Sequence, residues 1–268
     1  MLDRPELSLF QYQFVANMLS FGVATMLAGA LFFLFARNLV APKYRLSMIL
    51  TAVVPAIACY HYFRIYASWE GAYTFNGTAY VGSGQVFNDA YRYMDWLLTV
   101  PLLTTELVLS LGLAAALARS LSIRLALSAA LMIALGYPGE VATETGTKML
   151  WWSLSMIPFL YIMYVLFTEF SKTISQQPAS VQPAIKFARA TLLITWCFYP
   201  IAFLFPILGT TGAQGEVLLQ VGYSIADVTA KVGFGVVIYY ICHKKSVADG
   251  WTGYEGVTNS NRASLAGA

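Results

Sequence analysis

Residues 216–242 read EVLLQVGYSIADVTAKVGFGVVIYYIC, and Lys231 stands near the middle of this run. The stretch is otherwise apolar and long enough to cross a bilayer, for which ~20 residues suffice. An ammonium near the bilayer centre costs about 3 kcal/mol or more, so a lysine there marks a functional site. Asp227 lies four residues earlier, on the same helical face. Two readings stand at this point: a buried ion pair, or a covalently modified amine with its counter-ion.

The rest of the chain extends the membrane reading. Hydrophobic residues make up 58% and charged residues 11%, against about 25% charged in a soluble domain. The chain has room for seven spans, expected near 9–37, 44–68, 87–112, 121–139, 149–171, 184–207 and 215–242. This predicts an all-α membrane protein, a seven-helix bundle forming one domain over 1–245, with a polar, Gly-rich flexible cytoplasmic tail over 246–268. MLDRPELSLFQYQF at the N-terminus lacks the basic region and cleavage site of a signal peptide. Cys59, Cys197 and Cys242 fall inside expected spans, as packing thiols rather than disulfides.

Basic residues set the orientation. Arg37, Lys43, Arg45, Arg119, Arg124, Lys172, Lys186, Arg189, Lys244 and Lys245 fall in alternate loops and at the C-terminus. The opposite side holds Arg4 and Lys148 with Asp3, Glu6, Glu70, Asp89, Glu140 and Glu144. Positive residues stay inside, so the N-terminus is expected outside and the C-terminus in the cytoplasm. The net charge of +3 follows from these loops and calls for no nucleic-acid partner. Segment 69–86, WEGAYTFNGTAYVGSGQV, alternates aromatic and small residues around Asn76-Gly77. It predicts a short extracellular β-hairpin between the second and third helices.

Few ionisable residues remain inside the spans: His61, Arg64, Arg92, Asp95, Glu106, Asp227 and Lys231. Asp95 and Glu106 are eleven residues apart, so they share a face with roughly 16 Å of rise between them. Thr99 lies one turn from Asp95 on that face. The topology puts Asp95 in the outer half, Glu106 in the inner half and Lys231 between them. Two carboxyls flanking a central amine describe a proton path; the plainer alternative is a set of satisfied polar groups that aid helix packing. His61, in CYHYFRIY, reads alone as a packed core residue, but its depth matches that of Asp95, with which it could share a proton.

RYMDWLLTVPLLTTE (92–106) together with SIADVTAK (224–231) closely resembles the microbial rhodopsins. WCFYPIAF (196–203) and LWWSLSMIPFLYI (150–162) fit as well, and the resemblance covers essentially all seven spans. CYHYFRIYASW (59–69) and GYPGE (136–140) resemble the proteorhodopsin and xanthorhodopsin branch of bacterial pumps.

The resemblance implies all-trans retinal bound to Lys231 as a protonated Schiff base. Trp96 and Trp196 would clamp the polyene, with Leu103, Met132, Trp152, Ser155, Tyr199 and Phe203 around it. The Asp95, Thr99, Glu106 triplet marks outward proton pumps in that family; sodium and chloride pumps carry other residues there. Asp95 would then accept the proton and Glu106 resupply it, staying protonated at rest in its apolar surroundings. Asp227 would be the second counter-ion, Arg92 would support the charge of Asp95, and Thr99 would hydrogen-bond Asp95. Leu103 implies green absorption. Trp152 stands where carotenoid-antenna members carry Gly, so no antenna carotenoid is expected in that mode. Paired outer glutamates have no match beyond Glu216, which leaves release to a late step at the Asp95–His61 unit. Relatives form homo-oligomers, trimers to hexamers, in the bacterial inner membrane. The alternatives are a photosensor or light-gated channel on the same scaffold, or a retinal-free transporter with a Lys231–Asp227 ion pair.

Overall fold

A computed structural model describes residues 4–251; Asp3 and residues 252–268 of the expected tail lie outside the described residues. Seven long helices follow in order: α1 (Leu9–Ala36), α2 (Arg45–Ala72), α3 (Ala90–Ser110), α4 (Ala115–Val141), α5 (Thr145–Phe167), α6 (Gln182–Leu204) and α7 (Gly212–Ala248). A six-residue helical segment, Glu169–Ile174, continues α5. Six of the long helices are apolar enough to cross a membrane; α3 is the exception, because it carries Arg92, Asp95 and Glu106. Each helix packs on the next, and α7 closes the ring against α1.

The distribution of side chains inverts that of a soluble protein. Phe10, Phe35, Leu127, Ile157, Leu160 and Ile194 are exposed, while Arg92, Asp95, Thr99, Glu106, Asp227 and Lys231 are buried in the interior. An apolar exterior suits hydrocarbon, and polar groups inside a span must find partners within the bundle. The helix starts follow local chemistry. Ser8 Oγ accepts from the Gln11 amide and Gln11 Oε1 accepts from the Ser8 amide, a reciprocal cap that opens α1.

The hairpin forms as β1 (Tyr73–Phe75) paired antiparallel with β2 (Tyr80–Gly82). Asn76 Oδ1 accepts from the amides of Thr78 and Ala79, and Gly77 takes φ +103°, which few other residues tolerate. Leu7 joins the edge by exchanging backbone hydrogen bonds with Tyr80 at 2.9 and 2.8 Å. Tyr12 stacks on Tyr80 with ring centroids 3.6 Å apart.

Several boundaries differ from the sequence reading. α2 runs to Ala72, so residues 69–72 are helix rather than hairpin; Trp69 and Ala72 are fully buried, which favours continuing the turn. α4 starts at Ala115, so Arg119 and Arg124 lie on the helix and not in a loop. Arg124 makes a two-pronged bond to Glu169 at 2.8 and 2.5 Å. α7 extends to Ala248, past the domain boundary expected at Ser246. Lys245 and Ser246 are buried there, and Ser246 Oγ accepts from the Ala41 amide at 2.7 Å, tying the helix end to the α1–α2 connection.

Gly22 lets α1 come against the ring of Tyr62 on α2: a Cβ there would stand 2.4 Å from the ring. Tyr62 is 1% exposed and cannot retreat outward. Gly22→Ala is therefore expected to destabilise the bundle by about 1–3 kcal/mol, read as a lower Tm in thermal unfolding of the detergent-solubilised protein. An unchanged Tm would show that the α1–α2 contact is slack.

Candidate functional site

Past Val228, α7 changes pitch. Thr229–Gly233 form a single π turn around Lys231, a widening that recurs at functional sites. The turn places Lys231 Nζ between two carboxylates from different helices. Nζ donates to Asp227 Oδ1 at 2.7 Å and lies 2.9 Å from Asp95 Oδ2. All three side chains are nearly sealed from solvent.

The two carboxylates are held differently. Asp227 accepts from Tyr62 Oη at 2.9 Å, Tyr199 Oη at 2.7 Å and Trp96 Nε1 at 3.2 Å. Neither oxygen of Asp95 has a well-directed hydrogen-bond donor, since Lys231 approaches it off the bonding direction. His61 Nδ1 stands 3.8 Å from Asp95 Oδ1, an electrostatic contact beyond hydrogen-bond length. It lies 3.0 Å from the Ile57 carbonyl, which can only accept, so Nδ1 carries the hydrogen. Thr99 does bond Asp95, but Oγ1 donates to its backbone carbonyl at 2.9 Å and not to its carboxylate.

Arg92 departs from the sequence expectation. Its carboxylate neighbours are Asp89, at 3.6 Å from Nε, and Asp227, at 3.9 Å from Nη1; among the described residues it forms no ion pair with Asp95. Its guanidinium lies against the rings of Tyr223 and Tyr62 and donates to Gln220 Oε1 at 2.6 Å. Gln220 Nε2 in turn donates to Asp89 at 3.2 Å and to Glu216 Oε1 at 3.4 Å. Glu216, in the first turns of α7, is paired with Arg4 at 2.9 Å. A polar chain thus runs from Asp227 to the hairpin end of the bundle.

On the other side of Lys231 the surroundings change. Glu106 is fully buried and neither carboxyl oxygen has a hydrogen-bond partner. The polar groups near it are spent on backbone: Ser47 Oγ donates to the Glu106 carbonyl and Thr51 Oγ1 to the Ser47 carbonyl, both at 2.9 Å.

A cavity opens beside Lys231, framed by α3, α4, α5, α6 and α7. Trp96, Leu103, Met132, Trp152, Ser155, Trp196, Tyr199, Phe203 and Lys231 all line it. Trp152 Nε1 donates to the Pro200 carbonyl at 3.0 Å, which fixes that indole across α5 and α6. Gly136 leaves room for Tyr93, whose ring would stand 3.1 Å from a Cβ at that position. Tyr62 and Gln220 escaped the sequence reading. Gln220 lies seven residues before Asp227 on one face of an apolar span, a spacing that could have flagged it. Tyr62 sits unmarked in an aromatic run.

Comparisons with known proteins show the family and the fold. Bacteriorhodopsin of Halobacterium salinarum is 33% identical over 230 residues, covering 82% of this chain and 80% of its own. The green-light absorbing proteorhodopsin of Gamma-proteobacterium EBAC31A08 is 29% identical over 227 residues, 83% of this chain and 84% of its own. The crystallographic structure of xanthorhodopsin, described as a light-driven ion pump with dual chromophore, is 52% identical with TM-score 0.90, covering 93% of this chain and 100% of that one. A thermophilic rhodopsin structure is 48% identical with TM-score 0.89, over 92% and 99%. The sequence model of the family described as bacteriorhodopsin-like protein matches residues 13–245, and the chain belongs to that family of multi-pass membrane proteins.

Proposed function

We propose that the protein is a light-driven outward proton pump that carries retinal on Lys231. The observation that carries this reading is the asymmetric column Asp95–Lys231–Glu106: a central amine with a donor-poor carboxylate on one side and a buried, unpartnered carboxyl on the other. The residues fit retinal. The cavity beside Nζ is lined by the Trp96 and Trp196 indoles and by Trp152 and Phe203. Asp95 is buried with no donor of its own, as suits a counter-ion to a charged nitrogen. Retinal joined to Nζ supplies light absorption and a change in the direction and affinity of the proton on that nitrogen.

The chain's own residues then decide where the proton goes. Three donors from Tyr62, Tyr199 and Trp96 hold the charge of Asp227. Asp95 has none, so it is the carboxylate that gains by taking the proton from Nζ. The Arg92 guanidinium stays with Asp227 and Asp89 and prevents a second negative charge there from standing alone. Glu106, without donors in an apolar segment, is held neutral at rest and returns a proton to Nζ. His61 Nδ1 stands 3.8 Å from the Asp95 carboxylate, the nearest imidazole to it among the described residues. We place the N-terminus and hairpin outside and the C-terminus in the cytoplasm of a bacterial inner membrane, as a homo-oligomer. Leu103 in the cavity wall goes with green absorption.

Light-induced pH change in unbuffered cells expressing the protein with retinal tests the function. The medium should acidify, and an uncoupler should abolish the signal; a photosensor or channel would move no net protons uphill. Asp95→Asn should abolish the acidification and shift the pigment to the red, because the counter-charge at the nitrogen is lost. Acidification at the wild-type rate in that variant would remove Asp95 from the acceptor role. Glu106→Gln should leave the colour of the resting pigment in place and slow the late decay of the photocycle by about 10²-fold, the usual worth of a positioned proton donor. With Trp152 fixed at the cavity wall, an added xanthophyll should contribute nothing to the excitation spectrum; energy transfer from it would show that the indole does not close the ring end.

A further inference from the structure

Lys245 is 6% exposed although Lys244 beside it is open to solvent. Its Nζ donates to the Leu111 carbonyl at the end of α3 and, at 2.5 Å, to Gln177 Oε1 in the connection before α6. It also lies 5.2 Å over the ring of Tyr44 at the start of α2. One ammonium therefore joins α7, α3, the α5–α6 connection and the entry to α2. The site is built to receive it. Gly112 at φ +58° turns the chain after α3, and a Cβ there would stand 3.1 Å from the Tyr44 ring. Tyr44 Oη is anchored by donating to Asp249 Oδ2 at 3.0 Å, and the Gln177 carbonyl accepts from Gln182 Nε2 at 2.8 Å.

Next along the helices from this junction come Cys242, Leu107 and Glu106, with Ser47 Oγ donating to the Glu106 carbonyl, all fully buried. Glu106 is five residues deeper than Leu111 along α3, about 7.5 Å of rise. A buried ammonium is tolerable only while its hydrogens are met. Parting α3 from the α5–α6 connection would cost Lys245 its partners, so the bonds resist that parting. We infer that Lys245 is the clamp on the inner entrance: its bonds to Leu111 and Gln177 hold the bundle shut over the route from the cytoplasmic surface to Glu106, and proton uptake requires their release. Lys245 is thus a positioning residue that acts through the helix ends, and the inference rests on the pump reading above.

Cys242, one turn below Lys245, is a built-in reporter. With Cys59→Ser and Cys197→Ser it is the single thiol of the full-length, retinal-loaded protein. Its labelling by a water-soluble methanethiosulfonate in the dark is measured beside flash-induced proton uptake with a pH dye. Lys245→Met should speed labelling about ten-fold or more, as the loss of a charged hydrogen bond predicts, and should speed uptake. Gln177→Leu should act in the same direction, Gln177→Glu should keep the slow rates because a carboxylate accepts the same bond, and the absorption maximum should hold in all three. Unchanged labelling in both Lys245→Met and Gln177→Leu overturns the clamp, as does faster labelling with uptake at the wild-type rate. Faster labelling with no light-driven uptake in any variant upholds the clamp and overturns the pump reading instead.

Discussion

A cation buried between two carboxylates is the constraint on which the rest of this structure depends. Removing an ion from water costs several kcal/mol even after relaxation, and Asp95 and Asp227 each bring a carboxylate oxygen within 3 Å of Lys231 Nζ. Their sum is one negative charge. Arg92, 3.9 Å from Asp227, brings the group to neutrality. Its own burial then requires Gln220, Asp89 and two tyrosine rings. The demand therefore spreads over the bundle: Tyr62 from α2, Trp96 from α3, Tyr199 from α6 and the π turn of α7 are each needed to close one bond.

Within that group the unequal supply of donors does the chemical sorting. Asp227 is surrounded by hydroxyl and indole hydrogens and is bound to its own helix neighbour Lys231. Asp95 meets the same ammonium from across the bundle with nothing else to hold its charge. Two aspartates beside one ammonium are thus held unequally, one by three donors and one by none, without any difference in side-chain type. Hydrogen bonds to the charged form favour it, and burial without them disfavours it.

What could be read from the sequence and what could not divide along one physical line. Asp227 and Lys231, four apart on one helix, and Asp95 and Glu106, eleven apart on another, are pairs that helical geometry alone lines up. The span count and the hairpin at Asn76-Gly77 follow from local chemistry too. The partners that finish the site come from distant parts of the chain: Tyr62 reaches Asp227 across 165 positions and Arg92 reaches Gln220 across 128. No periodicity announces such contacts. Arg92 was expected to serve Asp95 because it is three residues away, but at that spacing the guanidinium is free to swing toward Gln220 and Asp227. Lys245 misled for the opposite reason: beside Lys244 it looks like half of a solvated basic pair, and only the packing of α3 against α7 buries it.

The two ends of the interior differ in a way that bears on direction. Toward the hairpin end, Arg92, Gln220, Glu216 and Arg4 form a chain with links of 2.6, 3.4 and 2.9 Å. Toward the other end, Glu106 is separated from the surface by apolar packing and the Lys245 junction, with no donor to its carboxyl. The described residues thus offer a hydrogen-bonded chain between the centre and the hairpin end and no donor to the Glu106 carboxyl. In the proposed pump, resupply from the other side would wait until packed elements part, which costs burial and bonds together. On the proposed pump reading, the resting state is connected toward the hairpin end and sealed at the other, and the opening of the sealed end is the one further event that would let a cycle carry charge in a single sense.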